Sequence, residues 1–317
     1  MPTHPLRILL AAPRGFCAGV DRALDIVERA LGVFGTPIYV RHEIVHNKHV
    51  VDRLRERGVI FVDHVREIPD GAVVIFSAHG VSKEVREEAA RRPLHVIDAT
   101  CPLVTKVHIE VHRLANEGCD IILIGHQNHI EVEGTMGQLP PERIRLVQNT
   151  EEAERVEVTD PERVAYVTQT TLSLDETRDV VEVLRRRFPT LRSPHRDDIC
   201  YATQNRQNAV KAMCEQIDLL LVIGSRNSSN SNRLAEVARA RGVPAHLFDE
   251  PDEMEDTWFE GVQTVGLTAG ASAPEDLVQA TVQHLLDRQG GEVIPFVHIE
   301  EDIVFTLPRE LTHPSST

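Results

Sequence analysis

The chain is short of positive charge, of aromatic rings and of long apolar runs, and each shortage removes a class of function. Its 317 residues carry 34 Lys and Arg against 49 Asp and Glu, a formal net charge of −15. Nucleic acid and anionic membrane surfaces both demand a surplus of cations, so neither suits this balance. Aromatic residues make up 4% of the chain, with a single Trp, too few for recognition of bases by stacking. No apolar run approaches the roughly 18 residues that span a bilayer. Met-Pro-Thr-His-Pro at the start lacks the charged and apolar regions of a secretory signal, so a cytoplasmic protein is expected. PRGFCAGV, the glycine-bearing loop after the first apolar run, lacks the G-x-G-x-x-G pattern of dinucleotide binding. The cysteines number five; an odd count in a long intracellular chain suggests thiols or metal ligands, not a disulfide framework.

What is present alternates between strand and helix. Apolar strand candidates are RILLAA, PIYV, VVIFSA, HVIDA, IILIG, VAYVT, LLLVIG and TVGLTA. Between them lie amphipathic stretches such as 21–34, with Leu24, Val27, Leu31 and Phe34 on one helical face. Short β runs separated by helices predict parallel sheets with crossover helices.

A threefold internal repeat runs through this pattern. Each unit opens with a strand ending in a cysteine loop: LLAAPRGFCAGV, HVIDATCPLVTK and RDDICYATQN. A second strand ends in a polar loop: YVRHEIVHN, LIGHQNHIE and VIGSRNSSNSN. His46, His129 and Ser228 follow Cys17, Cys101 and Cys200 by 29, 28 and 28 positions. A third strand ends in FSAHGVS, VTQTTLS or LTAGASA, which carry His79, Thr170 with Thr171, and Ser272. The expected fold class is therefore α/β, with three similar parallel-sheet domains around a pseudo-threefold axis. The units run 1–97, 98–196 and 197–289, followed by a tail from Gly290 that includes a strand-like stretch, 302–307.

Ligands of parallel α/β sheets bind beyond the carboxyl ends of the strands, and all nine loops of the repeat lie at such ends. Packed around one axis, the units would bring three cysteines and six polar loops to a common centre. Each cysteine sits just before, or at the start of, a helix, where the positive end of the helix dipole favours the thiolate that binds metal. Three thiolates around a four-iron cluster leave one iron without a protein ligand, and an open position is what separates a catalytic metal from a closed one. A lone cysteine is more often a small buried hydrophobe than a ligand. Three at equivalent repeat positions, in loops rich in Gly, Pro and polar residues, reverse that balance. Cys119, which opens a strand, and Cys214, which lies in a helix, read as packing residues.

The Asn227–Asn232 segment, expected as a loop before a helix beginning near Arg233, offers hydroxyls, amides and N–H groups to a phosphate-like anion; a capping and turn cluster is the bland alternative. His46, His79 and His129 are candidate donors to the same anion. Glu131 and Glu133 flank Val132, so in an extended chain they would point to opposite sides. A carboxyl beside His129 is a natural proton donor, and the residues alone do not choose between the two.

The segments PRGFCAGV, VRHEIVHN, FSAHGVS, DATCPLVTKVH, EVEGTMGQ, TQTTLS, DDICYATQNRQ, GSRNSSNSNRLAE and TAGASAP together resemble the LytB-type 4-hydroxy-3-methylbut-2-enyl diphosphate reductases. These are the last enzymes of the methylerythritol phosphate route to isoprenoids, and the likeness runs over about 6–306. The resemblance implies a [4Fe–4S] cluster on Cys17, Cys101 and Cys200. It implies diphosphate and substrate contacts at His46, His79, His129, Thr170, Ser228, Ser229, Asn230 and Ser272, and a proton-delivering glutamate at Glu131. It further implies a two-electron reductive dehydroxylation of an allylic diphosphate to isopentenyl and dimethylallyl diphosphate, with ferredoxin or flavodoxin as electron donor. Two departures stand out: Ala12 replaces an Asn common before the Pro-Arg-Gly-Phe-Cys motif, and Ile130 stands where Pro is common.

Three other readings share these residues. A quinolinate-synthase-like [4Fe–4S] dehydratase would need no added reductant, a cluster-based redox sensor would bind its cluster with four protein ligands, and a three-cysteine zinc hydrolase would contain neither iron nor sulfide.

Overall fold

The computed structural model describes residues 5–312, with the side chains of positions 309 and 312 excepted. Along the chain run β1 (Arg7–Ala12), α1 (Ala18–Phe34), β2 (Ile38–Arg41), α2 (Lys48–Glu56), β3 (Val59–Val62), β4 (Val73–Phe76), α3 (Lys83–Ala90) and β5 (His95–Asp98). Next come α4 (Pro102–Asn116), β6 (Asp120–Ile124), α5 (Ile130–Met136), β7 (Ile144–Val147), α6 (Thr150–Arg155), β8 (Val164–Thr168) and α7 (Leu174–Arg187). The remainder is α8 (Tyr201–Met213), β9 (Leu219–Ile223), α9 (Ser229–Arg239), β10 (Ala245–Phe248), β11 (Thr264–Ala269), α10 (Glu275–Gln289), β12 (Glu292–Val297) and α11 (Arg309–Thr312). The chain forms two compact units. One takes the N-terminal segment up to Ala18, His46–Arg53 and Tyr201–Val304; the other takes Gly19–Val45, Leu54–Cys200 and the segment from Phe305.

The strands form three sheets, ordered β10–β9–β11–β1–β12, β3–β2–β4–β5 and β7–β6–β8, and every neighbouring pair is parallel. The first belongs to one unit and the other two to the second. β9 shows why these runs fold this way. Leu219, Leu221 and Ile223 enter one core cluster, while Leu220 and Val222 enter another, so the strand is covered on both faces and has no polar side to show. β6 repeats the arrangement, with Ile121 and Leu123 on one face and Ile122 and Ile124 on the other. Each such buried side chain contributes about 2 kcal/mol of burial.

The sheets are offset from the sequence repeats by one strand. β1, which leads to Cys17, pairs with β11 of the third repeat; β5, which leads to Cys101, pairs with β4 of the first. Arg192, on the segment leading to Cys200, bridges Ala165 of β8. Each cysteine segment thus lies beside the strand that ends in the third polar loop of another repeat.

All eight strand candidates appear. The strands they omitted, β3, β7, β10 and β12, are all at sheet edges, where short, half-exposed runs carry weaker apolar signals. The 302–307 stretch is not a strand; among the described residues it joins no ladder, and β12 at Glu292–Val297 takes the edge beside β1 instead. α1 buries Val20, Ala23, Ile26, Val27 and Ala30, whereas Leu24 and Leu31 are half-buried and Phe34 exposed. The packed face is rotated from the expected stripe: it keeps Val27 but takes in Val20, Ala23, Ile26 and Ala30 in place of Leu24, Leu31 and Phe34.

Candidate active site

None of the five cysteines is in a disulfide. Cys17 and Cys200 immediately precede α1 and α8, and Cys101 is the N-cap of α4 with Pro102 opening the helix. All three are partly exposed. Each is held by its own amide: the Cys17 N–H donates to Ala271 O at 3.2 Å, Cys101 N–H to Ala78 O at 2.9 Å, and Cys200 N–H to Thr170 O at 3.0 Å. Those acceptors are, or directly precede, Ser272, His79 and Thr170, the residues of the third polar loops. The one-strand offset of the sheets produces this pairing. Cys119 is fully buried in a core cluster, and Cys214 packs against another while burial pushes its thiol up; both are packing residues, as read. Among the described residues, no three His, Cys, Asp or Glu side chains are gathered as ligands of a single metal ion. The donor set offered at the loops is three thiols at helix N-termini, with Arg22 electrostatically coupled to Cys101, and this suits a thiolate-bound group.

Glu131 lies in the first turn of α5, not in an extended segment, and the helix turns it inward while Glu133 is exposed. The residue is 3% exposed. Oε1 accepts the Thr170 N–H at 2.7 Å and Oε2 accepts the Thr170 hydroxyl at 2.9 Å. Burial, which penalises the charged form, is the largest influence and pushes the carboxyl up to about 7; the two Thr170 bonds oppose it and the charge of Asp198 adds to it. A carboxylic acid titrating near neutrality is matched to proton transfer.

His129 caps α5, its Nδ1 accepting the Glu131 N–H at 3.2 Å. The ring of His79 stands edge-on to it with centroids 6.1 Å apart, and Ser77 Oγ lies 3.3 Å from His79 Nδ1. In this unit the structure therefore brings together Glu131, Thr170, His129 and His79.

In the other unit α9 begins at Ser229, four residues before the expected start, because Ser228 caps it by accepting the Ser231 N–H at 3.3 Å. Much of the expected loop is thus the first helical turn. Asn230, in that turn, is 5% exposed, and among the described residues neither its buried amide nitrogen nor its buried amide oxygen has a hydrogen-bond partner. Room beside it depends on Gly270, where a Cβ would lie 2.0 Å from Ser231 Oγ and 3.1 Å from Asn230 Nδ2. Ser272 donates its hydroxyl to the His46 carbonyl at 2.8 Å, which ties together two further candidate loops. A helix N-terminus with an unsatisfied buried amide suits an incoming polyanion.

Sequence reasoning gave no role to Asp198. Its buried carboxylate accepts the Thr168 N–H at 3.1 Å and pairs with Lys106 at 3.1 Å, and burial raises it. Its place two residues before Cys200, inside the DDICYATQNRQ motif, was the available signal.

Residues 8–286 match the family model described as LytB protein. The chain belongs to the LytB family. Among relatives named 4-hydroxy-3-methylbut-2-enyl diphosphate reductase, one from Neisseria gonorrhoeae is 57% identical over 98% of this chain and 96% of its own length. One from Tolumonas auensis is 56% identical over 96% and 99%. A solved E-1-hydroxy-2-methyl-but-2-enyl-4-diphosphate reductase from Plasmodium falciparum superimposes with a TM-score of 0.95 at 39% identity, covering 98% of both chains. The LytB match embraces all three cysteine loops and every candidate residue above.

Proposed function

We propose that the chain reduces 4-hydroxy-3-methylbut-2-enyl diphosphate to isopentenyl and dimethylallyl diphosphate, with Cys17, Cys101 and Cys200 as ligands of a [4Fe–4S] cluster. The observation that carries the reading is Glu131, a dry carboxyl held by both donors of Thr170 and poised near pH 7 in a chain of the reductase family. When bound, the cluster would supply reducing electrons one at a time and Lewis-acid activation of the leaving oxygen.

The chain's own residues supply the rest. Asn230, Ser228 and Ser229 at the start of α9, with His46 and Ser272, grip the diphosphate, and His79, His129 and Thr170 orient the substrate for the step. Glu131 holds a proton and delivers it, directly or through the Thr170 hydroxyl, to the departing oxygen. The C–O bond breaks with uptake of two electrons, the oxygen leaves as water, and a second proton closes either end of the allylic system, which accounts for two products. The electrons come from ferredoxin or flavodoxin, and the reaction runs in the cytoplasm. No helix among the described residues is long and apolar enough to cross a membrane.

The test is anaerobic purification, iron and sulfide analysis, and turnover with a reduced donor. Serine at Cys17, Cys101 or Cys200 abolishes turnover and lowers bound iron, whereas alanine at Cys119 or Cys214 leaves both. Turnover without added reductant would reject the reading in favour of a dehydratase.

A further inference from the structure

Each of the three helices that follow a cysteine carries a cation five or six positions on, and each cation donates to the main chain just ahead of another cysteine. Arg22, on α1 after Cys17, donates to Thr100 O at 3.1 Å and Ala99 O at 3.4 Å, directly before Cys101. Lys106, on α4 after Cys101, donates to Arg196 O at 2.8 Å, Asp197 O at 2.7 Å and Asp198 Oδ1 at 3.1 Å, directly before Cys200. Arg206, on α8 after Cys200, donates to Gly15 O at 2.7 Å and Phe16 O at 3.3 Å, directly before Cys17. Taken in chain order the series closes on itself, the third cation returning to the first cysteine.

The cations differ in how far their charge is neutralised. Arg206 is fully buried and pairs with Glu301 at 3.1 Å. Lys106 pairs with Asp198. Arg22 makes its hydrogen bonds to carbonyls, the third being its Nε to Thr306 O at 2.8 Å. The segment beyond β12 thus completes two of the three contacts, through Glu301 and Thr306. Helix-to-loop ties of this kind set a ligand loop before its metal arrives, since the alternative is to order the loop at the moment of binding. A cation also lowers the energy of a nearby thiolate, and of any centre that gains negative charge on reduction.

We infer that Arg22, Lys106 and Arg206 are positioning cations that preform the three cysteine loops, and that the charge of Arg22 favours retention and reduction of the cluster. The inference rests on the proposed cluster and assigns these residues no contact with substrate. Lys106 has a partly exposed head group, but its loss leaves the buried Asp198 carboxylate without its cation, so Lys106→Arg, which keeps the charge, is run beside Lys106→Met. Arg22→Gln and Arg22→Lys separate charge from geometry.

The experiment begins with apo-protein. Lys106→Met should melt cooperatively yet react faster than wild type with a maleimide at Cys200, read by peptide mapping, with Lys106→Arg restoring protection. After anaerobic loading with iron and sulfide, Lys106→Met and Arg22→Gln should lose the cluster in air about 10-fold faster than wild type, the scale of outer-shell effects. Redox titration should show a lower reduction potential in Arg22→Gln, recovered in Arg22→Lys. If Arg22→Gln does not fold, Lys106→Met and Arg22→Lys carry the test. Wild-type thiol protection, cluster lifetime and potential in the folded variants would overturn the inference. A wild type that binds no iron and sulfide would instead overturn the cluster reading beneath it.

Discussion

The Glu131 corner of one unit and the Asn230 corner of the other are both buried and polar, yet they are finished to different degrees. Glu131 has both oxygens satisfied by Thr170, so the protein completes it without help. Asn230 has neither end of its amide satisfied, and a buried amide without partners costs about 1–3 kcal/mol. A group that must hold a proton through many turnovers benefits from a closed environment that sets its pKa. A group that must grip a ligand benefits from bonds left open for it. The contrast matches the division proposed above, with proton delivery at Glu131 and diphosphate binding at Asn230.

Three substitution or pH experiments press on that contrast, in falling order of effect. Glu131→Gln should keep substrate affinity within a few-fold while turnover falls about 10²–10⁴-fold, the usual worth of a general acid; near-normal turnover in a single-turnover assay would reject its role. Asn230→Ala should do the reverse, weakening substrate or inorganic diphosphate by about 10-fold, a binding loss near 1.4 kcal/mol. It should not lower the melting temperature of the ligand-free protein, since it removes an unsatisfied group. A calorimetric titration beside a thermal melt decides this, and loss of stability without loss of binding would make Asn230 structural.

The smallest effect concerns pH. Because burial raises Glu131 to about 7, its protonated form, the proton donor, disappears as pH climbs through 7, and turnover should fall there. The stability sign follows from the same shift. A folded-state value above the unfolded one contributes stability that is fully present below the ordinary glutamate range and is lost as pH rises through about 7. Glu131→Gln, locked in a neutral state, should therefore gain in melting temperature relative to wild type between about pH 5 and pH 8. A constant difference across that window would show that Glu131 does not titrate there.

Legibility differed by residue for physical reasons. The central strands are plain because both faces are covered and the runs are apolar throughout; of the edge strands, β5 and β8 are legible, whereas β3, β7, β10 and β12 are not, being short or half-exposed. Cys101 at a helix start was legible from Pro102 and the polar loop before it. The first turn of α9 looks like a loop in sequence because Ser and Asn favour turns and caps alike, and only the Ser228 cap shows where the helix begins. The choice between Glu131 and Glu133 rested on family likeness until the inward turn of α5 buried one and exposed the other.

Local chemistry, which depends on residue type and spacing, determined the strands and helices, the threefold repeat, the three cysteine loops and the family. It also separated Cys119 and Cys214 from the rest. Tertiary structure decided which strand each cysteine segment pairs with, which carboxyl is buried enough to hold a proton near neutrality, and which amide is left unsatisfied. Those properties arise from desolvation and from partners distant in sequence, and no local pattern encodes either one.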